Sequence, residues 1–119
     1  MKAIDGLNPQ ALWRHFGEIS RIPRESGSEA LIRQHIADRA RHYGLACTID
    51  EAGNVLVKKP GNSGPPPVAL QSHMDMVCEK DNQTAHDFGS DPIRLIREND
   101  WIRAEGTTLG ADNGIGVAA

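Results

Sequence analysis

Three places along the chain carry side chains whose types and spacing suit chemistry. The first is Ser72-His73-Met74-Asp75-Met76, directly after the apolar run Val68-Ala69-Leu70. In extended backbone, residues two apart point to one face, so the His73 imidazole and the Asp75 carboxylate emerge together. Ligand sites in open α/β sheets lie just outside the carboxyl ends of strands, which is where this pair would sit. Taken alone, a His-x-Asp is more often a surface histidine and aspartate opening a loop, because so short a match is only a hypothesis.

The second place is Gly106-Thr107-Thr108-Leu109-Gly110-Ala111-Asp112-Asn113-Gly114-Ile115-Gly116, where glycines surround one acid ahead of a helix start. Three readings stay open. Asp112 or Asn113 could cap an ordinary turn. The glycines could cradle a phosphate, although neither GxGxxG nor GxxxxGK[ST] is matched and no lysine is near. Or Asp112 could offer its two hard oxygens to a metal, with glycine leaving room for the ion. The last reading joins the two places. A neutral imidazole and a carboxylate suit zinc, cobalt or manganese, and a carboxylate can bridge two ions about 3.5–4 Å apart, as in two-metal hydrolases. Asp75 would then accept the far N–H of His73 and fix its tautomer. Catalytic zinc commonly takes three protein ligands and a water, so His73 and Asp112 alone leave two ions short of donors.

The third place is the remaining histidines. His15, His35 and His42 fall on expected helices, where packing or solvated roles are the common ones. His86, in Thr84-Ala85-His86-Asp87-Phe88, follows the His-x-Asp in a polar loop and is a candidate substrate contact, since loops near strand ends carry binding groups. Cys78 could meet a soft metal but nothing pairs with it. Arg24-Glu25 reads as an ion pair or plain surface.

These residues need elements to hold them. Asn8-Pro9 suits a helix start, with Leu12, Phe16 and Ile19 on one face up to Ile22-Pro23. Ser26 and Glu29 match a capping box ahead of Ile32, Ile36, Ala40 and Tyr43, with Gly44 closing that second helix. Leu45–Asp50 and Val55–Lys58 flank a turn and predict a hairpin, and Pro60–Pro67 is an exposed loop. Val68-Ala69-Leu70 predicts an interior strand covered on both faces. A long polar loop runs from Glu79 to Pro92, and Ile93–Ile96 with Trp101–Ala104 predict a second hairpin. Gly116-Val117-Ala118-Ala119 resembles the first turn of a buried helix. The order implies an α/β fold with a mixed β-sheet flanked by helices.

Composition narrows the function classes. The 119 residues hold 13 Lys+Arg against 16 Asp+Glu, a net charge of −3, with aromatics at 4%. Nucleic-acid surfaces need clustered cations and stacking rings, which this sequence lacks. Two cysteines in no paired spacing, Cys47 and Cys78, argue against a disulfide scaffold and for a reducing, cytoplasmic setting. There is no signal-peptide pattern and no apolar run of membrane-spanning length.

Taken in order, Ile22-Pro23-Arg24-Glu25-Ser26-Gly27-Ser28-Glu29, Gly53-Asn54-Val55-Leu56-Val57, Leu70-Gln71-Ser72-His73-Met74-Asp75-Met76-Val77, His86-Asp87-Phe88 and the segment from Gly106 to Gly116 carry a family resemblance. From about Asn8 to Ala119 the chain is similar to the amino-terminal part of the aminoacyl-histidine dipeptidases, cytosolic dinuclear zinc enzymes also called carnosinases or β-alanyl-histidine dipeptidases. The glycine-rich segment is specific to this group, whereas His-x-Asp is shared by many relatives. The resemblance implies a zinc-dependent exopeptidase-like catalytic domain acting on Xaa-His dipeptides, with His73 ligating one zinc, Asp112 bridging both, and Asp75 the active-site carboxylate oriented on His73. It also implies a cis Asp112–Asn113 peptide and a homodimeric complete enzyme. A Glu-Glu pair supplying the base and a ligand, further acidic and histidine ligands, and a lid or dimerisation domain would lie beyond residue 119. Residues 1–119 are thus expected to be the front portion of the catalytic domain, incomplete at the C-terminus and inactive alone. The competing readings are a non-catalytic truncated product that binds metal weakly, and a nucleotide-binding module built on the glycine-rich turn.

Overall fold

Helix α1 spans Gln10–Ser20 and turns Phe16 and Ile19 inward, where they are 1% and 3% exposed. Its start differs from the expected one. Pro9 occupies the capping position with extended backbone, the Asn8–Pro9 peptide is cis, and no side chain caps the helix. Asn8 instead offers its carbonyl to the Trp13 indole N–H at 3.3 Å. At the other end the Ser20 hydroxyl donates back to the Phe16 carbonyl at 2.8 Å, and the helix closes two residues before Ile22.

Helix α2 spans Ala30–His42, with Ile32, Ala37 and Ala40 buried and Ile36 half-buried. Arg39 and Arg41 place cations at its carboxyl end, where the helix dipole favours them. Gly44 follows with φ 70°, the left-handed conformation in which a Cβ would be strained, and Leu45 N–H closes on the Ala40 carbonyl. Tyr43, expected on the inner face, is exposed and lies under the Arg39 guanidinium. The capping box is not formed: Glu29 stands at the cap position without a side-chain cap bond, and its carboxylate accepts from Gly27 N–H.

Two hairpins follow. β1 (Ala46–Ile49) pairs antiparallel with β2 (Val55–Lys58) and packs on α2, its turn closed by Asn54 donating from backbone and side chain to the Asp50 carboxylate. β3 (Leu95–Glu98) pairs antiparallel with β4 (Trp101–Ala104), so its turn is Asn99-Asp100, shorter than expected. Asn99 takes φ 54°, which asparagine tolerates better than most residues. Helix α3 spans Ala111–Ala118, is broken by non-helical backbone at Asp112 and Asn113, and packs against α1. Phe16, Ile19, Ile32 and Ala118 form the buried centre, with Met74, Leu109 and Ile115 packed around them.

The structure, a computed structural model, describes residues 2–62, 64 and 66–119; Met1, and Ser63 and Pro65 of the expected Pro60–Pro67 loop, lie outside the described residues. Within them the fold is a small mixed α/β arrangement of three helices and two separate two-stranded sheets, not one mixed sheet. The expected interior strand is the reason. Residues 68–72 have no regular structure, with Val68 85% and Leu70 94% exposed. A strand needs a neighbour to pair its backbone groups, and neither hairpin pairs with this segment. Among the described residues, parallel pairing is limited to a single bridge between Glu25 and Met76.

Burial therefore separates two apolar positions that look alike in sequence. Phe16→Ala should cost about 3–5 kcal/mol through the cavity it leaves. Leu70→Ser should stay within about 0.5 kcal/mol, as surface changes do. Urea denaturation followed by circular dichroism measures both, and similar losses at the two positions would show that residues 68–72 are packed.

Candidate functional site

Residues 73–76 alternate sides as extended backbone must. Met74 packs against the core and Met76 is buried, which leaves His73 and Asp75 together on the outer side. Main-chain bonds hold this run beside the α1–α2 connection: Met76 N–H donates to the Arg24 carbonyl at 2.9 Å and Ser26 N–H to the Met76 carbonyl at 3.2 Å. Further along, the glycine-rich segment is stitched to the same run. Asp81 N–H donates to Gly106 O and Thr108 N–H to Glu79 O, both at 2.9 Å, and the Thr108 hydroxyl donates to Val77 O at 2.7 Å.

Arg24 completes the tie from below. It is 1% exposed, and its guanidinium donates to the Met74 carbonyl at 3.1 Å and the Gly110 carbonyl at 2.7 Å. One carbonyl belongs to the residue between His73 and Asp75, the other lies two residues before Asp112. Glycine is required beside it. Gly110 has φ 77°, and a Cβ there would stand 2.5 Å from Arg24 Nη2 and 2.7 Å from Met76 Sδ. A Cβ at Gly114 would stand 2.8 Å from the same nitrogen. Burial pulls the Arg24 pKa down from its ordinary value while Cys78 and Asp75 oppose this, and a guanidinium stays charged regardless.

The result brings His73, Asp75 and Asp112 into one hydrogen-bonded line. His73 Nδ1 lies 3.0 Å from Asp75 Oδ1 and 3.1 Å from the Asp75 carbonyl, and His73 Nε2 lies 3.0 Å from Asp112 Oδ1. Behind them the Ser26 hydroxyl donates to Asp75 Oδ2 at 2.5 Å. The contact with Asp112, then the Asp75 carbonyl and carboxylate, hold the His73 imidazole above its ordinary pKa. The Ser26 hydroxyl, and after it His73, hold Asp75 below the usual carboxylate range against a smaller effect of burial. Asp112 projects a side chain that is 97% exposed. The Asp112–Asn113 peptide is cis.

This geometry tests whether a metal fits. Two acceptor oxygens face Nδ1, so Nδ1 carries a hydrogen; a neutral ring then aims the Nε2 lone pair at a carboxylate oxygen. That contact is favourable only when Nε2 is protonated or a cation sits between the two. Donors about 2.0–2.2 Å from one ion lie roughly 3–3.5 Å apart, and 3.0 Å is the observed separation. His73 and Asp112 therefore fit as two donors. Among the described residues no group of three or more His, Cys, Asp or Glu side chains forms a metal cage. A cleft of about 590 Å³ opens beside His73 and Asp75, lined also by Glu29, Arg33 and Asn54 among others, and Asp112 lies outside its lining.

The other candidates lie elsewhere. The His86 ring lies tilted against Phe88 with centroids 4.5 Å apart, its Nε2 is buried with no partner among the described residues, and it does not line the cleft. Cys78 points its thiol at the Met76 carbonyl, 3.7 Å away, and burial pushes its pKa up. Arg24 is neither an ion pair nor surface, and Ser26 serves the site rather than a helix cap; Ser26 matched a local motif, which hid its distant partner.

No family model matches the chain. It is 43% identical over 122 residues to the cytosol non-specific dipeptidase of Escherichia coli (strain K12), covering all of this chain and 25% of that protein. The crystal structure of aminoacylhistidine dipeptidase from Vibrio alginolyticus superposes with a TM-score of 0.91 at 44% identity, over 97% of this chain and 24% of that one. A tripeptidase from Staphylococcus aureus gives a TM-score of 0.77 at 28% identity, over 94% of this chain and 30% of that one. The chain is thus homologous, over its full length, to part of the cytosol non-specific and aminoacylhistidine dipeptidases, and it spans about a quarter of their length. No helix among the described residues is long and apolar enough to cross a membrane.

The His73 contacts define a pH dependence. A histidine whose folded pKa is raised contributes stability below its unfolded pKa and loses it as pH rises through the folded value. Asp75, lowered, contributes above its unfolded pKa and loses that contribution as pH falls through the folded one. NMR titration of metal-free protein should give a His73 midpoint above the ordinary histidine value, about 6.5. Asp112→Asn, which removes the negative charge from the contact, and Arg24→Met, which loosens the segment that holds it, should both bring that midpoint down. A midpoint unmoved in both variants would contradict the assigned contacts.

Proposed function

We propose that residues 1–119 form the amino-terminal portion of a metallo-dipeptidase catalytic domain and contribute two metal-holding groups to a dinuclear centre. His73 would hold one ion through Nε2, and Asp112 would bridge two with its exposed carboxylate. The observation that carries this reading is the 3.0 Å approach of His73 Nε2 to Asp112 Oδ1 with Nδ1 already committed to Asp75. Zinc, with cobalt or manganese as substitutes, would supply Lewis acidity and a water of lowered pKa.

The chain's own residues do the positioning. Asp75 accepts the Nδ1 hydrogen and so keeps the Nε2 lone pair outward, as carboxylates behind metal-bound histidines do. Arg24 fixes the separation of the two donors by gripping both segments, and glycine at 110 and 114 makes its approach possible. The cleft beside His73 leaves space for a small peptide. The names of the relatives, a non-specific dipeptidase and an aminoacylhistidine dipeptidase, support a dipeptide substrate, and we assign the Xaa-His class represented by β-alanyl-histidine. We further assign the complete protein to the cytoplasm, as a homodimer.

Two donors fall short of the three usual at catalytic zinc, so the base and remaining ligands must come from outside these residues. Zinc titration by calorimetry should find one weak site, well short of the roughly 10 kcal/mol or more of complete structural zinc sites. His73→Ala and Asp112→Ala should each abolish it. Release of histidine from β-alanyl-histidine by the 119-residue chain should stay at background even with zinc added. Zinc binding that persists in both variants would overturn the assignment of donors.

A further inference from the structure

The Ser26 hydroxyl sits in a place its sequence context does not explain. Its spacing to Glu29 matches a capping box, yet α2 begins at Ala30 and Glu29 turns its carboxylate to Gly27 N–H instead. Ser26 donates its hydroxyl to Asp75 Oδ2, and the other oxygen of the same carboxylate meets His73 Nδ1 at 3.0 Å. The Ser26 main chain is held in place, because its N–H is bonded to the Met76 carbonyl and Met76 N–H to the Arg24 carbonyl; the Met76 carbonyl is also a longer, second acceptor for the hydroxyl at 3.4 Å. Backbone pairing thus carries Ser26 to one oxygen of Asp75, and His73 Nδ1 takes the other, sharing its hydrogen with the Asp75 carbonyl 3.1 Å away.

We propose that Ser26 is a positioning residue that acts through Asp75: by occupying Oδ2 it directs Oδ1 to His73 Nδ1 and holds the imidazole in the Nδ1–H tautomer, with the Nε2 lone pair facing Asp112. A carboxylate rotates readily about its last bond, and a ring free to exchange tautomers spends part of its time with Nε2 protonated and unable to ligate. A fixed donor on the far oxygen removes that freedom. The consequence for metal affinity rests on the metal reading above, while the consequence for the tautomer does not.

The test uses the full chain with Ser26→Ala, Ser26→Thr and Asp75→Asn, and two measurements. In metal-free protein at alkaline pH, where the ring is neutral, nitrogen NMR should find His73 predominantly Nδ1–H. Ser26→Ala should give a mixture of tautomers, and Ser26→Thr, which keeps the hydroxyl, should restore the single form. In the Asp75→Asn background the alanine substitution should have no further effect. Zinc affinity should fall about tenfold in Ser26→Ala, the low end of what loss of an outer partner costs, and recover in Ser26→Thr. A wild-type tautomer in Ser26→Ala, or a mixture that threonine does not correct, overturns the proposal. So does an Ser26→Ala effect that persists undiminished with Asp75→Asn. Failure of the wild-type chain to bind zinc counts against the metal reading alone, because the tautomer measurement still decides the role of Ser26.

Discussion

One buried guanidinium sets the geometry on which the rest depends. Arg24 holds the carbonyls of Met74 and Gly110 at once, and these belong to segments 36 residues apart that present His73 and Asp112 to each other. Burying a cation is costly, and this one offsets the cost with charge-assisted bonds from both terminal nitrogens to backbone oxygens, while its buried Nε has no partner among the described residues. Arginine suits the task because its planar fork meets two acceptors from one fixed group, whereas a lysine offers a point charge on a flexible stem. The glycines follow from the same constraint: Gly110 and Gly114 are bare where a methyl group would strike the guanidinium.

Around this tie the molecule divides its labour. Phe16, Ile19, Ile32 and Ala118 bury the apolar faces of the three helices, and Met74 joins them from the strand-like run. The opposite face of that run is left polar and open, with Asp112 almost fully exposed. An exposed carboxylate facing the unsubstituted nitrogen of an oriented imidazole adds little stability, since surface charge pairs are weak. Under the proposed function its arrangement serves a cation rather than folding.

Much of this was legible in the residues. The period of Leu12, Phe16 and Ile19 marks α1, Gly44 marks the end of α2, and the two-residue spacing of His73 and Asp75 in extended backbone puts them on one side. The misreadings have physical causes. Val68-Ala69-Leu70 has the composition of an interior strand, but composition does not supply the neighbour that a strand must pair with, and the run is exposed. Ser26 and Glu29 satisfied a local capping rule, and a contact 49 residues away took the hydroxyl instead. Arg24 reads in sequence as an ion pair or surface because arginine is usually one or the other, and its burial depends on two distant carbonyls that receive it. Local pattern gives elements; partners far apart in sequence decide what each polar group is for.

The central claim is that His73 and Asp112 are two donors to one cation. Anomalous diffraction at the zinc edge, from crystals of the chain grown with zinc, tests it most directly. The account predicts a peak within about 2.0–2.2 Å of both His73 Nε2 and an Asp112 carboxylate oxygen, with Asp75 still on Nδ1. Zinc bound elsewhere, with His73 and Asp112 still in direct contact, would contradict it.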